Sequence, residues 1–333
     1  MSPPFPLSDH FDGNYFHMPG APRTARFLDL MKWRLGKAST PRGAWPQWVE
    51  ISQHAPPVGP AGDSRDMVAT WINHATFLLQ TATANILFDP VFSRCCGPFG
   101  KIGPARVHVP GVALDALPRI DIVCLSHDHY DHCDIPSLRR LAHRDPQHPP
   151  ISITPLGNGA LLRRAGFVRE RIVELDWWQP HTLAAGVRVA LTPAQHWSKR
   201  LTSGRNRRLW GGFFITLPSG QSAYFAGDTG YHETLFGTMA ARLGAPDVAM
   251  LPIGAYEPRW FMRPQHCNPA EAVCIHRDLG ARQSVAMHWG TFHLTDEARD
   301  EPPRALARAL REAGLASEAF KILQPGESLT IAS

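Results

Sequence analysis

Ser126-His127-Asp128-His129-Tyr130-Asp131-His132 decides how the rest of this chain is read. Six of these positions spell His-x-His-x-Asp-His. With 17 histidines in 333 residues, that pattern arises by chance only about 0.002 times per chain. The run 122–126 before it is apolar, as in a strand buried between two layers, and 135–143 after it reads as a helix. The motif therefore lies on a strand-to-helix turn. Residues two apart in extended chain point the same way, so His127 and His129 converge. Once the chain turns, Asp131 and His132 face the same pocket from its other side. Four imidazole and carboxylate donors in one segment exceed what a single catalytic zinc takes from it, which argues for two metals.

Further donors are expected at other strand ends, and three occur there. His196 follows Thr192-Pro193-Ala194-Gln195, Asp228 follows Phe225-Ala226-Gly227, and His288 follows Val285-Ala286-Met287. Singly, each reads as a structural histidine or a turn-forming aspartate; as a set behind His-x-His-x-Asp-His they read as ligands. Around them, 67–72, 76–80 and 85–88 suggest a strand meander. The runs 151–154, 187–191, 212–217, 222–226, 247–251 and 283–287 suggest further strands, and 320–330 a closing strand pair around Gly326. Helices are expected over 157–165, 232–243 and 303–313. Another is expected from Asn268 to about Asp278, where Asn caps, Pro269 opens the helix and Glu271 complements the dipole. Two successive strand-rich halves imply an α/β fold, an αββα sandwich of two mixed sheets with helices outside, over residues 66–333. Residues 1–65 form an N-terminal extension rich in Pro, Gly and aromatics. Its one helical candidate, 24–37, carries Phe27, Leu28, Met31 and Leu35 as an apolar stripe, which would either pack on the domain or rest on lipid.

Composition narrows the class. With 44% hydrophobic and 19% charged residues the chain can bury a core. No apolar run reaches the roughly 18 residues of a membrane span, and the first residues lack a secretory pattern, so a cytoplasmic protein is expected. The six cysteines include no Cys-x-x-Cys and no disulfide framework. A net charge of +5 without a strong basic stripe argues against nucleic acid as a partner.

The whole pattern resembles the metallo-β-lactamase fold, and more closely its N-acylphosphatidylethanolamine-hydrolysing phospholipase D branch. The resemblance is carried by Asn73-His74-Ala75-Thr76, the 125–132 segment, Glu174-Leu175-Asp176-Trp177-Trp178 and Gln195-His196-Trp197-Ser198-Lys199-Arg200. It extends through the run 252–262, Gln265-His266, 269–273 and His288-Trp289-Gly290-Thr291-Phe292. Asn73 departs from it, standing where the family usually has Gly. The resemblance implies two zinc ions, iron or manganese being the alternatives. His127, His129 and His196 would hold the first, Asp131, His132 and His288 the second, with Asp228 bridging. It also implies that a hydroxide shared by the metals attacks phosphorus.

Beyond the ligands, Asp89 is expected to orient a ligand histidine. His266 resembles a family residue that contacts the phosphate or protonates the leaving group. His74 and Arg200 are further substrate contacts, and Tyr256, Trp260, Phe261 and Met262 would line an acyl-chain groove. Arg200, Arg205, Arg207 and Arg208 form either a solvated basic loop or a lip for lipid phosphates. The implied activity is hydrolysis of N-acylphosphatidylethanolamine to N-acylethanolamine and phosphatidic acid. The alternatives are a hydrolase of a small phosphorylated or lactone metabolite on the same metal site, a nuclease, and a non-enzymatic scaffold. The expected partner is a phospholipid or other anionic small molecule, with peripheral membrane contact. The oligomeric state is left open, a homodimer included.

Overall fold

Short β-branched and aromatic runs between polar turns build two seven-stranded sheets. The computed structural model describes residues 4–21, 27–35, 42–62, 64–201 and 203–333. The first sheet takes β1 (Met67–Asn73), β2 (Thr76–Gln80), β3 (Asn85–Phe88), β4 (Ile122–Cys124), β5 (Ile151–Pro155) and β6 (Ile172–Leu175) in spatial order. The second takes β7 (Pro180–Thr182), β8 (Arg188–Thr192), β9 (Gly212–Thr216), β10 (Ser222–Phe225), β11 (Val248–Pro252), β12 (Gln283–Met287) and β13 (Phe320–Lys321). The last strand, β14 (Ser328–Ile331), returns to pair antiparallel with β1, Val68 opposite Thr330.

Each sheet opens as an antiparallel meander and continues in parallel, from β3 to β6 and from β10 to β13. Parallel neighbours need long crossovers, and those carry helices. These are α2 (Ile135–Arg144) and α3 (Gly159–Ala165) on the first sheet. On the second they are α4 (Leu235–Leu243), α6 (Pro269–Asp278) and α7 (Glu301–Glu312). The sheets meet through aromatic faces. Phe88 and Phe225 stack with ring centroids 4.6 Å apart, and Trp71, Phe77, Phe213 and Phe214 are buried beside them. Each such side chain contributes roughly 1.5–3 kcal/mol on burial. The start of α6 is as its sequence suggests: the Asn268 side chain accepts from Glu271 N at 2.8 Å, and Glu271 accepts from Asn268 N at 3.0 Å.

Two expectations change, and two strands escape the sequence pattern. Strands 320–321 and 328–331 exist but do not pair with each other, because each closes the edge of a different sheet. Strands β6 and β7 carry too little alternation to stand out in sequence. The helical candidate 24–37 is helical over α1 (Phe27–Arg34); residues 24–26, 36 and 37 lie outside the described residues. Its Leu28, Met31 and Leu35 are exposed. Leu30 and Trp33 instead pack on Ala255 and on Phe261 and Met262 of α5 (Arg259–Met262). Among the described residues no helix is long and apolar enough to cross a membrane.

Candidate metal centre

Ligand crevices in sheets with parallel strands form outside the carboxyl ends of those strands, and every donor anticipated from sequence emerges there. After β4 the chain turns sharply, with His129 O accepting from His132 N at 3.2 Å and Cys133 N at 2.7 Å. This reversal brings Asp131 and His132 round beside His127 and His129. His196 follows β8, Asp228 follows β10 and His288 follows β12, so the second sheet supplies the other three. The turn before Asp228 requires Gly227: its φ is +60°, and a Cβ there would stand 2.9 Å from Ser126 Cβ.

The donors fall into two converging sets, each within 4.8 Å: His127, His129, His196 and Asp228, and His74, Asp131, His132 and His288. In the first, His127 Nε2 and His129 Nδ1 are 2.9 Å apart, and His196 Nε2 is 3.1 Å from the same nitrogen. In the second, His132 Nε2 and His288 Nε2 are 3.2 Å apart. Asp228 joins them, Oδ2 lying 3.7 Å from His196 Nε2 and 3.2 Å from His132 Nε2, and Oδ1 3.0 Å from His288 Nε2.

Hydrogen bonds on the outer side of the rings aim these nitrogens. Ser126 Oγ donates to Asp89 Oδ2 at 2.5 Å, and its lone pair therefore accepts from His127 Nδ1 at 2.9 Å. His132 Nδ1 donates to the same Asp89 oxygen at 2.7 Å, and His196 Nδ1 donates to Gln265 O at 2.9 Å. In His127 and His196, which burial keeps neutral, the outward nitrogen carries the proton and the inward one presents its lone pair. His127 Nε2 and His196 Nε2 each lie about 3 Å from His129 Nδ1, and these three nitrogens have too few protons to bind each other, whereas a cation satisfies all three.

Titration behaviour agrees with that demand in the first set, whereas in the second, Asp228 and Asp131 raise His132 and His288 against burial. Burial pushes His196 to about 3 and His129 to about 4, keeping them neutral. Burial acts the same way on His288, but Asp228 and Asp131 outweigh it and hold His288 at about 9. His132 and the histidines around them pull the Asp131 and Asp228 carboxyls, against burial, well below the usual range. Buried imidazole and carboxylate donors of this kind fit Zn²⁺, Fe or Mn.

The residues outside the expected ligand set divide. Asp89 is fully buried and reaches His132, and its Oδ1 also accepts Ser126 N at 2.7 Å. His74 is closer to the centre than a substrate contact need be: its Nε2 lies 3.1 Å from Asp131 Oδ2, and its ring 4.0 Å from His288. His266 joins Asp228 and His288 in a third convergent group. Its ring lies 5.0 Å from His196, its Nδ1 is unpaired, and burial pushes it to about 3. Phe261 and Met262 are buried against Trp33, and Tyr256 lines a cleft of about 420 Å³ between α6 and α7. Met262 meets the centre through its neighbours, its O accepting from His266 N at 2.9 Å and its Sδ from Gln265 Nε2 at 3.7 Å, and Trp260 is 45% exposed beside Phe261.

The loop arginines divide: Arg207 is exposed, Arg205 and Arg208 are partly buried, and Arg200 is buried. Arg200 is 7% exposed; it donates to Asp128 O and Cys133 O and stands over the Tyr130 ring. It braces the motif turn rather than facing solvent. Ser126 and Gln265, which orient His127 and His196, carried no role in the sequence reading, because their contacts lie one step behind the ligands.

A β-lactamase superfamily domain matches residues 84–289. An uncharacterised protein of Mycobacterium tuberculosis is 42% identical over 252 residues, covering 74% of this chain and 65% of that protein. The match thus spans just under two thirds of that relative's length. The N-acyl-phosphatidylethanolamine-hydrolyzing phospholipase D 1 of Caenorhabditis elegans is 34% identical over 269 residues, covering 78% of this chain and 75% of that one. Among solved structures, an isothiocyanate hydrolase from Delia radicum gut bacteria superposes with a TM-score of 0.61 at 22% identity. That superposition covers 80% of this chain and all of the other, and it speaks for the fold. Motif, sheets and matches agree: the chain belongs to the metallo-β-lactamase superfamily, and phospholipases D of the N-acylphosphatidylethanolamine-hydrolysing kind are among its homologues.

Proposed function

We propose that this protein is a two-metal phosphodiesterase of phospholipase D type, cleaving N-acylphosphatidylethanolamine to N-acylethanolamine and phosphatidic acid. The observation that carries this reading is the 34% identity to the worm enzyme over three quarters of both chains. His127, His129 and His196 would hold one ion, Asp131, His132 and His288 the other, and Asp228 both. When bound, two such ions acidify water from a pKa of 15.7 towards about 7 and withdraw charge from phosphoryl oxygens. The chain's own part is orientation. Asp89 and Ser126 fix His132 and His127, and Gln265 fixes His196. Neutral His266, its Nδ1 unpaired and its ring grouped with Asp228 and His288, would hydrogen-bond the leaving oxygen. In the reaction a water oxygen joins phosphorus, the P–O bond to the N-acylethanolamine breaks, and that oxygen takes up a proton.

A peripheral membrane contact belongs to the same reading. Leu28 and Met31 on α1 and Leu35 just past its end present an apolar stripe, 72%, 38% and 65% exposed, and such a stripe suits a lipid interface. A small-molecule hydrolase is the second reading, favoured by the packing of Phe261 against Trp33 of α1, ring centroids 5.1 Å apart.

Mass spectrometry of products from mixed micelles in H₂¹⁸O separates them. The phospholipase D reading expects ¹⁸O in phosphatidic acid and none in N-acylethanolamine, with Asp131→Asn and His288→Ala inactive. Full metal content without either product would exclude the lipid and leave the small-molecule hydrolase.

A further inference from the structure

Asp128 stands between two members of the first donor set, yet it points away from them and is fully buried. A buried carboxylate is costly unless paired and hydrogen-bonded, and this one is spent entirely on the loop that follows His196. Its Oδ1 accepts from Lys199 N at 2.8 Å, and its Oδ2 pairs with Arg208 Nη1 at 2.9 Å. Arg208 also donates to Ser203 Oγ at 2.6 Å and, through Nε, to Gly157 O at 3.1 Å. One ion pair therefore joins both ends of the loop to the motif turn and to the segment before α3.

The loop so held carries a wall of the site. Trp197 packs edge-on against His129, ring centroids 4.6 Å apart, and the Arg205 guanidinium lies 4.4 Å from the Trp197 ring centroid. On the loop's outer side, Phe16 N donates to Asn206 O at 2.8 Å and Arg207 Nη1 to Asn14 O at 3.2 Å. The N-terminal segment thus presses the loop inward, while the Asp128–Arg208 pair sets how far inward it sits.

We propose that Asp128 and Arg208 are a positioning pair that sets the Trp197–Arg205 wall over the first donor set, and so governs substrate binding without touching metal or substrate. This rests on the reading of that centre as the active site. The variants are Asp128→Asn, which keeps an acceptor for Lys199 N but loses the ion pair, Arg208→Gln, the milder Arg208→Lys, and the double D128N/R208Q. Displacement of a positioned group by about 1 Å costs up to a hundredfold. The expected result is KM for N-acylphosphatidylethanolamine raised roughly tenfold to a hundredfold in D128N and R208Q. Arg208→Lys should be intermediate, kcat little changed and two metals retained per chain. The double variant should be no worse than either single one, since both break the same link.

A second arm needs no substrate. In metal-free protein, trypsin should cut after Lys199, Arg200 and Arg205 faster in D128N and R208Q than in wild type. Unchanged KM with unchanged cleavage overturns the proposal. So does loss of a metal together with kcat, because Asp128 would then serve the ligand turn and not the loop. If the wild type does not hydrolyse the lipid, the substrate reading falls, and the cleavage rates alone decide whether the pair positions the loop.

Discussion

At Asp89 one carboxylate serves two rings: it receives His132 Nδ1 directly and His127 Nδ1 by way of Ser126 Oγ. Replacing a partner of this kind typically weakens metal binding about 10–100-fold. Asp89→Asn is therefore expected to lower metal content from two ions towards one, read by elemental analysis after dialysis against a weak chelator; two tightly kept ions would refute that role. In sequence, Asp89 followed by Pro90 reads equally well as a turn former, because the contact that distinguishes it, Ser126, lies 37 residues away. Glycines offer a sharper contrast. Gly227→Ala forces a non-glycine residue to φ +60° against Ser126 Cβ and should cost about 1–3 kcal/mol. Gly237, inside α4 with open space around its Cα, should accept Ala with a gain of roughly 0.5–1 kcal/mol. Thermal melts of the two variants should move in opposite directions.

Among the elements, α1 shows what spacing alone conveys. The helix was legible from Phe27, Leu28, Met31 and Leu35. Its orientation was not, since Phe261, which receives Trp33, is 228 residues away from it. Leu28→Ser with Leu35→Ser should leave the melting temperature unchanged and weaken vesicle binding roughly tenfold per leucine, measured by sedimentation with anionic liposomes. Equal binding would remove α1 from the membrane contact.

The segment 4–21 offers a pH test. His10 lies between Asp9 Oδ1 at 2.6 Å and Asp176 Oδ1 at 2.7 Å, stacked on Trp177. Burial opposes its charge, but Asp176 and Asp9 outweigh burial and raise it above 6.5. Asp176 is lowered from 3.8, with burial opposing and His10 the main pull downward. Stability from the raised His10 is full below pH 6.5 and lost as pH climbs through its folded value. Stability from the lowered Asp176 is present above 3.8 and lost as pH falls through its folded value. The melting-temperature advantage of wild type over His10→Asn should accordingly shrink from pH 6 to pH 9. An advantage that grows over that range would contradict the pairing.

For the molecule as a whole, the donor sets draw on both sheets. His127, His129, Asp131 and His132 come from the first, and His196, Asp228 and His288 from the second. Ions bound there would tie the sheets together, and ligand binding to the folded state alone adds about 4 kcal/mol at a thousandfold excess over Kd. Stripping metal with a chelator should lower the melting temperature by several degrees, and readding Zn²⁺ should restore it; no shift would mean the donor sets bind no ion. Much of this architecture was legible, because motif and strand ends recur at regular places in the chain. The separate destinations of β13 and β14 were not, since nothing in 320–330 distinguishes a hairpin from two edges. That last closure bears on how the protein is made. Val68 waits for Thr330, 262 residues further along (330 − 68). At about 5–20 residues per second on the ribosome, β1 stands unpaired on one side for roughly 13–50 s after it is translated. A lesion in residues 328–331 would then be felt first in biosynthesis, as nascent chains that meet one another along β1 and leave solution before any substrate is met.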